Sequence, residues 1–169
     1  MMILYPKLYC KNVTAITIDI LNKNNIKGLI LDVDNTLIDI NKKMDDKVKV
    51  WVNDLKKKGI KFCIVSNTNK HEKVKKVAET LDIPYFYFAK KPFKKGFINA
   101  KNKMNLNEKN IAAVGDQIMT DVIGANRCKM FPILVEPISE QDILITKIKR
   151  PIEKFIINRY LAKCEREKE

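Results

Sequence analysis

Apolar residues along the chain gather into short runs and longer amphipathic stretches that alternate, separated by Asn, Gly, Asp and Lys. Ile26 to Leu31 is a short run of mainly branched apolar residues, the pattern of a strand buried on both faces. Ile60 to Val65, Tyr85 to Ala89, Asn110 to Val114 and Phe131 to Val135 predict four more strands. Between them, Asp45 to Lys58 sets Val48, Trp51, Val52 and Leu55 at helical spacing and stops at Gly59. Trp51 is therefore assigned to the core. Asn69 followed by Glu72 resembles a capping box and predicts the next helix start, with His71 as a surface residue in its first turn. Gly96 to Met104 and Ile118 to Asn126 predict two further helices. Near the N-terminus, Thr14 as N-cap followed by Ile16, Ile18, Ile20 and Leu21 suggests a first helix, although that spacing also reads partly as a strand. Strands alternating with helices imply an α/β fold: a doubly wound, Rossmann-like parallel sheet with helices on both faces and right-handed crossovers.

A length of 169 residues suits a single domain spanning the whole chain. The 33 Lys and Arg against 20 Asp and Glu leave a formal charge of +13. That excess favours phosphate-rich partners, namely nucleic acid, an anionic membrane or a polyanionic substrate. The joint richness in Lys, Asn and Ile offers a second explanation, compositional drift of an AT-rich genome on a solvated surface. Cys10, Cys63, Cys128 and Cys164 form no closely spaced pair, which points to reduced thiols and a cytoplasmic setting. No apolar run approaches the roughly 18 to 20 residues of a membrane span, and the N-terminus lacks the layout of a secretory signal.

In open parallel sheets the reactive crevice lies beyond the carboxyl ends of the strands, where connecting loops separate. Asp32 and Asp34 follow the first predicted strand, Ser66 and Asn67 the second, Lys90 and Lys91 the third, and Asp116 the fourth. Carboxylates from separated loops can hold a hard cation such as Mg2+, which prefers oxygen ligands. A cation, a lysine and a hydroxyl together neutralise a phosphoryl group during transfer, and a carboxylate in line can act as nucleophile. The remaining aspartates Asp19, Asp39, Asp45, Asp46, Asp54, Asp82 and Asp142 are assigned to caps and surface.

These residues resemble, in order, the four motifs of the haloacid dehalogenase superfamily. Asp32-Val33-Asp34-Asn35-Thr36 is similar to the first, Val65-Ser66-Asn67 to the second, Lys91-Pro92 to the third, and Gly115-Asp116-Gln117-Ile118-Met119-Thr120-Asp121 to the fourth. The resemblance implies that Asp32 is the nucleophile and Asp34 the acid and base. It further implies that Ser66, Asn67 and Lys91 grip the phosphoryl oxygens, with Lys90 as the rival lysine. Mg2+ would be held by Asp32, the Asp34 main chain and Asp116, with Asp121 contributing indirectly. A second aspartate at Asp34 resembles the phosphatases of the superfamily rather than its dehalogenases.

Little chain is left between the predicted elements for an inserted cap domain, so the site is expected to be open. Lys90, Lys91, Lys94, Lys95, Lys101 and Lys103 would make its mouth basic. The segment of about 141–169 interleaves Lys147, Lys149, Arg150, Lys154, Arg159 and Lys163 with apolar residues. It suits either an anionic lipid surface or a helix packed on the sheet. Across nearly its whole length the chain resembles the YqeG-like branch, subfamily IIIA, similar to phosphatidylglycerophosphate phosphatases. The implied substrate carries an anionic phospholipid head group, with peripheral contact at the inner face of a membrane. A soluble sugar or nucleotide phosphate is the rival substrate. A nucleic-acid partner is disfavoured, because no RNA-binding signature accompanies the charge.

Overall fold

The computed structural model describes residues 2–139 and 144–166. Six strands form one parallel sheet: β1 (Leu8–Cys10), β2 (Gly28–Leu31), β3 (Lys61–Val65), β4 (Tyr85–Phe86), β5 (Ile111–Gly115) and β6 (Phe131–Val135). Their order is β1-β6-β5-β2-β3-β4. β2 lies at the centre with Leu31 opposite Ile64 on one side and Val114 on the other. From β2 the chain winds outward through β3 to β4, then returns to β5 on the opposite flank of β2. The β2–β5 boundary is thus a topological switch point, where the two outgoing loops part and leave a crevice.

Successive strand residues point to opposite faces, so each central strand feeds two cores. Leu29, Leu31, Phe62, Ile64, Ala112 and Val114 meet the apolar faces of α2 (Asp46–Lys57) and α3 (His71–Leu81) on one side. Ile30, Cys63, Val65 and Ala113 meet α4 (Lys94–Met104) and Ala125 of α5 (Ile123–Arg127) on the other. Trp51 is buried in the first core; its ring meets Phe62 edge-on and its indole N–H donates to the Ile16 carbonyl at 2.8 Å. Asp45 caps α2 by accepting from the Lys47 N–H at 2.9 Å, and Gly59 follows that helix at φ +85°.

Several boundaries differ from the sequence reading, each for a local reason. Thr17, not Thr14, caps α1 (Ile18–Lys23) by accepting from the Ile20 N–H, while Thr14 lies in a 3-10 turn, Val13–Ala15, capped by Asn12. The Asn69–Glu72 capping box does not form: α3 begins at His71 after Lys70, with no side-chain cap. The single helix expected from Ile118 opens as a π-turn, Ile118–Val122, before α5. β4 has only two residues, and β1, a three-residue edge strand too short to show a period, was not expected.

From the C-terminal segment, residues 144–166 form α6 (Leu144–Arg166), whereas 140–143, including Asp142, and 167–169 lie outside the described residues. Ile156 is buried against Ile118, Val122 and Leu134, and the Glu153 carboxylate accepts from the Met119 N–H at 3.2 Å. α6 therefore packs on the sheet, as one of the two readings of its sequence anticipated. Its other face exposes Ile152 and Phe155 among Lys154 and Arg159. Among the described residues, no helix is long and apolar enough to cross a membrane.

Gly124 marks the tightest contact between α5 and α4, since a Cβ there would stand 2.3 Å from the Phe97 ring, itself buried. A Gly124→Ala substitution is expected to lower stability by about 2 kcal/mol through overpacking. Urea denaturation at matched m-value measures it.

Candidate active site

Four strand ends converge on one ammonium group. Asp32 leaves β2 with its N–H on the Val114 carbonyl at 2.9 Å, which carries the sheet register one residue beyond the strand. The β5 end delivers Asp116, and the π-turn after it folds Asp121 back beneath Gly115. A Cβ at Gly115 would lie 2.2 Å from the Asp121 carboxyl carbon, so the approach requires glycine. The oxygens of Asp32, Asp116 and Asp121 come within 4.8 Å of one another, and all three residues are buried. Lys91 Nζ donates to Asp32 Oδ1 and to Asp121 Oδ1, each at 2.6 Å. Lys90 instead turns outward, its ammonium 4.9 Å from the centre of the Phe88 ring. The structure thus separates the two lysines that sequence left as rivals.

The electrostatics follow from burial. Loss of water raises the Asp32 carboxyl to about 6; the Lys91 ammonium pulls the other way, and the Asp121 charge adds to the rise. Burial alone would lower Lys91, but the Asp121 and Asp32 carboxylates more than offset it and hold the ammonium charged. Three carboxylates around a single ammonium leave the cluster net negative and lined with hard oxygen donors. That donor set fits a divalent cation of the Mg2+ type, with Asp32, Asp116 and Asp121 as the side chains to hold it.

Asn67 is tied to the lysine backbone. Its side-chain oxygen accepts from the Lys91 N–H at 2.5 Å and its amide nitrogen donates to the Lys91 carbonyl at 3.0 Å. The group expected to face phosphate therefore clamps the Lys91 main chain on both sides. Ser66 is buried at the end of β3, its N–H on the Phe86 carbonyl and its hydroxyl accepting from the Thr68 N–H at 3.3 Å. Asp121 also accepts at Oδ2 from the Gln117 N–H and the Thr120 hydroxyl.

Asp34 stands outside the group of three carboxylates and pairs with Lys73 of α3. Sequence reasoning missed Lys73, because it is one of several lysines on α3 and no motif marks it. The spacing of Lys70, Lys73 and Lys76 on one helix face was the available signal. His71 lies on the surface as expected, with Nε2 2.8 Å from the Tyr85 hydroxyl.

Residues 41–129 match the model of the haloacid dehalogenase-like hydrolases, a span that contains Ser66, Lys91, Asp116 and Asp121. The chain belongs to this family. It is 38% identical over 154 residues to a protein of Bacillus subtilis (strain 168) named probable phosphatase YqeG, covering 90% of this chain and 89% of that protein. In fold it is similar to an uncharacterized protein from Listeria monocytogenes serotype 4b, with a TM-score of 0.55 and 19% identity over 70% of this chain and 86% of that one. It is likewise similar to a hypothetical protein from Xanthomonas campestris, with a TM-score of 0.52 and 14% identity over 72% and 71% of the two chains.

Removing one partner from a buried ion cluster leaves charge that is uncompensated. Lys91→Met is expected to lower stability by about 3 kcal/mol in chelator-treated buffer. Denaturant titration of the two proteins checks this, and Lys90→Met, at the exposed neighbour, is expected to change stability by less than about 0.5 kcal/mol.

Proposed function

We propose that this hydrolase is a Mg2+-dependent phosphomonoesterase that works through an aspartyl phosphate on Asp32. The observation that carries the reading is the buried cluster of Asp32, Asp116 and Asp121 around Lys91 Nζ at the switch point of the sheet. Its relative's name, probable phosphatase, is consistent with it.

A bound Mg2+ supplies positive charge against the phosphoryl oxygens, held by Asp32, Asp116 and Asp121 and by the Asp34 main chain. The chain's own groups do the rest. An Asp32 oxygen attacks phosphorus, a bond forms between them, and the bond from phosphorus to the alcohol oxygen breaks. Asp34 gives a proton to that departing oxygen. Once the alcohol has left, the Asp34 carboxylate takes a proton from water, which attacks phosphorus and frees phosphate and Asp32. Lys91 and Ser66 steady the phosphoryl oxygens, and Asn67 keeps Lys91 at its place through the backbone.

The preferred substrate is phosphatidylglycerophosphate. The connections from β2 to α2 and from β3 to α3 are loops of residues 32–45 and 66–70, so among the described residues no cap domain covers the mouth. Around that mouth Ile40, Phe88, Phe93 and Ile138 are each half exposed or more, among Lys42, Lys43, Lys90, Lys94 and Lys95. Exposed apolar side chains set among lysines suit an anionic lipid surface, with the enzyme cytoplasmic and peripheral at the inner face of a membrane.

Asp32→Asn is expected to reduce magnesium-dependent phosphate release by about a thousandfold or more; persistent full turnover removes Asp32 as the nucleophile. Mg2+ is expected to raise the Tm of the parent and leave Asp116→Asn unmoved, which thermal melts with and without chelator measure. Liposome-presented phosphatidylglycerophosphate and soluble sugar and nucleotide phosphates are to be assayed side by side. Release from the soluble esters alone would end the lipid reading and favour a soluble substrate.

A further inference from the structure

The inward face of α6 carries one carboxylate among apolar groups. Glu153, Ile156, Ile157 and Tyr160 recur at the spacing of a single helix side. Ile156 and Ile157 pack on Ile118, Val122 and Leu134, and the Tyr160 ring stands 6.0 Å from that of Tyr5. Glu153 is only 6% exposed, whereas its neighbours Ile152 and Lys154 face solvent. Burying a carboxylate costs free energy unless a donor meets it, and the Met119 N–H does so at 3.2 Å. Packing alone asks for an apolar side chain at position 153; the carboxylate is matched to that main-chain donor.

The turn that offers this donor, Ile118–Val122, also carries Asp121. It is a π-turn, closed by the Ile123 N–H on the Ile118 carbonyl, a rare geometry that recurs at functional sites. The opening N–H groups of a helical turn lack partners within it, and Glu153 supplies one from a distant element. By contrast, the Gln117 N–H and the Thr120 hydroxyl, which donate to Asp121 Oδ2 at 3.3 Å and 3.2 Å, belong to the same loop. They orient the carboxylate on its turn without tying the turn to the rest of the molecule. The placement has little slack. A Cβ at Gly115 would stand 2.2 Å from the Asp121 carboxyl carbon, and Asp121 Oδ1 reaches Lys91 Nζ at 2.6 Å. A small displacement of the turn would part Asp121 from Lys91 and from the oxygens of Asp32 and Asp116.

We propose that Glu153 is a positioning residue for the carboxylate cluster. By holding the Met119 N–H from α6 it sets where Asp121 stands, and so sets the affinity of Asp32, Asp116 and Asp121 for a divalent cation. Groups that orient metal ligands from behind typically govern affinity by about ten- to a hundredfold. The inference rests on the proposed metal site, while its main readout, cation binding, needs no turnover.

Calorimetric titration of Mg2+ into the chelator-treated full chain compares Glu153→Ala, Glu153→Gln and Ile156→Ala with the parent. Glu153→Gln keeps an oxygen that can accept from Met119, and Ile156→Ala loosens the same interface without removing that acceptor. Glu153→Ala is expected to weaken Mg2+ binding about tenfold, with Glu153→Gln and Ile156→Ala within about twofold of the parent. Glu153→Leu, which fills the space without accepting, is expected to match Glu153→Ala and takes its place if that variant does not fold. In turnover of p-nitrophenyl phosphate, Glu153→Ala is expected to need about tenfold more Mg2+ for half-maximal rate and to regain kcat at saturating Mg2+, with KM for the ester unchanged. Parent-like Mg2+ affinity in Glu153→Ala or Glu153→Leu overturns the inference. So does an equal loss in Glu153→Gln, or an equal loss in Ile156→Ala, which would make Glu153 one packing contact of α6 among others. A parent that binds Mg2+ but releases no phosphate defeats the proposed reaction alone, and the calorimetry still decides Glu153. A parent that binds no Mg2+ defeats the metal site and this inference with it.

Discussion

Everything at the carboxyl edge of this sheet is arranged around one buried ammonium. Lys91 Nζ bridges Asp32 and Asp121, two carboxylates whose main chains lie at opposite ends of the chain's central excursion. Taking such charges out of water costs several kcal/mol each, and only close pairing offsets it. The lysine must therefore be held from behind, and the twofold grip of Asn67 on its backbone does this. Asp121 must be held too, and the absence of a side chain at Gly115, with the Gln117 N–H and the Thr120 hydroxyl, serves that end. The supports are spread over three loops, so none of those loops can shift alone.

The topology explains why these loops meet. β2 and β5 are neighbours in space with 79 residues of chain between Leu31 and Ile111, and the polypeptide leaves them in opposite directions. The resulting gap opens beside Asp32 at the end of β2. α6 belongs to the same arrangement, since Glu153 accepts from the first turn of the π-element that carries Asp121.

Most strand ends were readable in the sequence because buried parallel strands are short uninterrupted apolar runs, and β2, β3, β5 and β6 each ended on a polar residue within one or two positions of the observed edge, whereas β4 stops at Phe86, three residues before the expected Ala89. β6 matched at both ends, and Trp51 fell where its spacing put it. Legibility failed where local chemistry offered equal choices. Thr14 and Thr17 are both acceptable caps, and only the 3-10 turn at Val13–Ala15 decides between them. Lys73 was invisible because its value lies in a contact 39 residues away in sequence, and the tie of Asn67 to the Lys91 backbone was not foreseen because a side-chain amide can face either a ligand or the backbone. Lys90 and Lys91 differ in position by one residue and in environment completely, a distinction that only the path of the loop reveals.

The central position of β2 has a temporal side. During synthesis Asp32 leaves the ribosome well before Asp116 and Asp121, and β2 cannot gain its second neighbour until β5 has been made. Parallel pairings of this kind close large loops and form late. The nascent chain therefore carries Asp32 for some 80 residues of synthesis with neither acidic companion, and the complete cluster first exists only when the second half of the sheet docks.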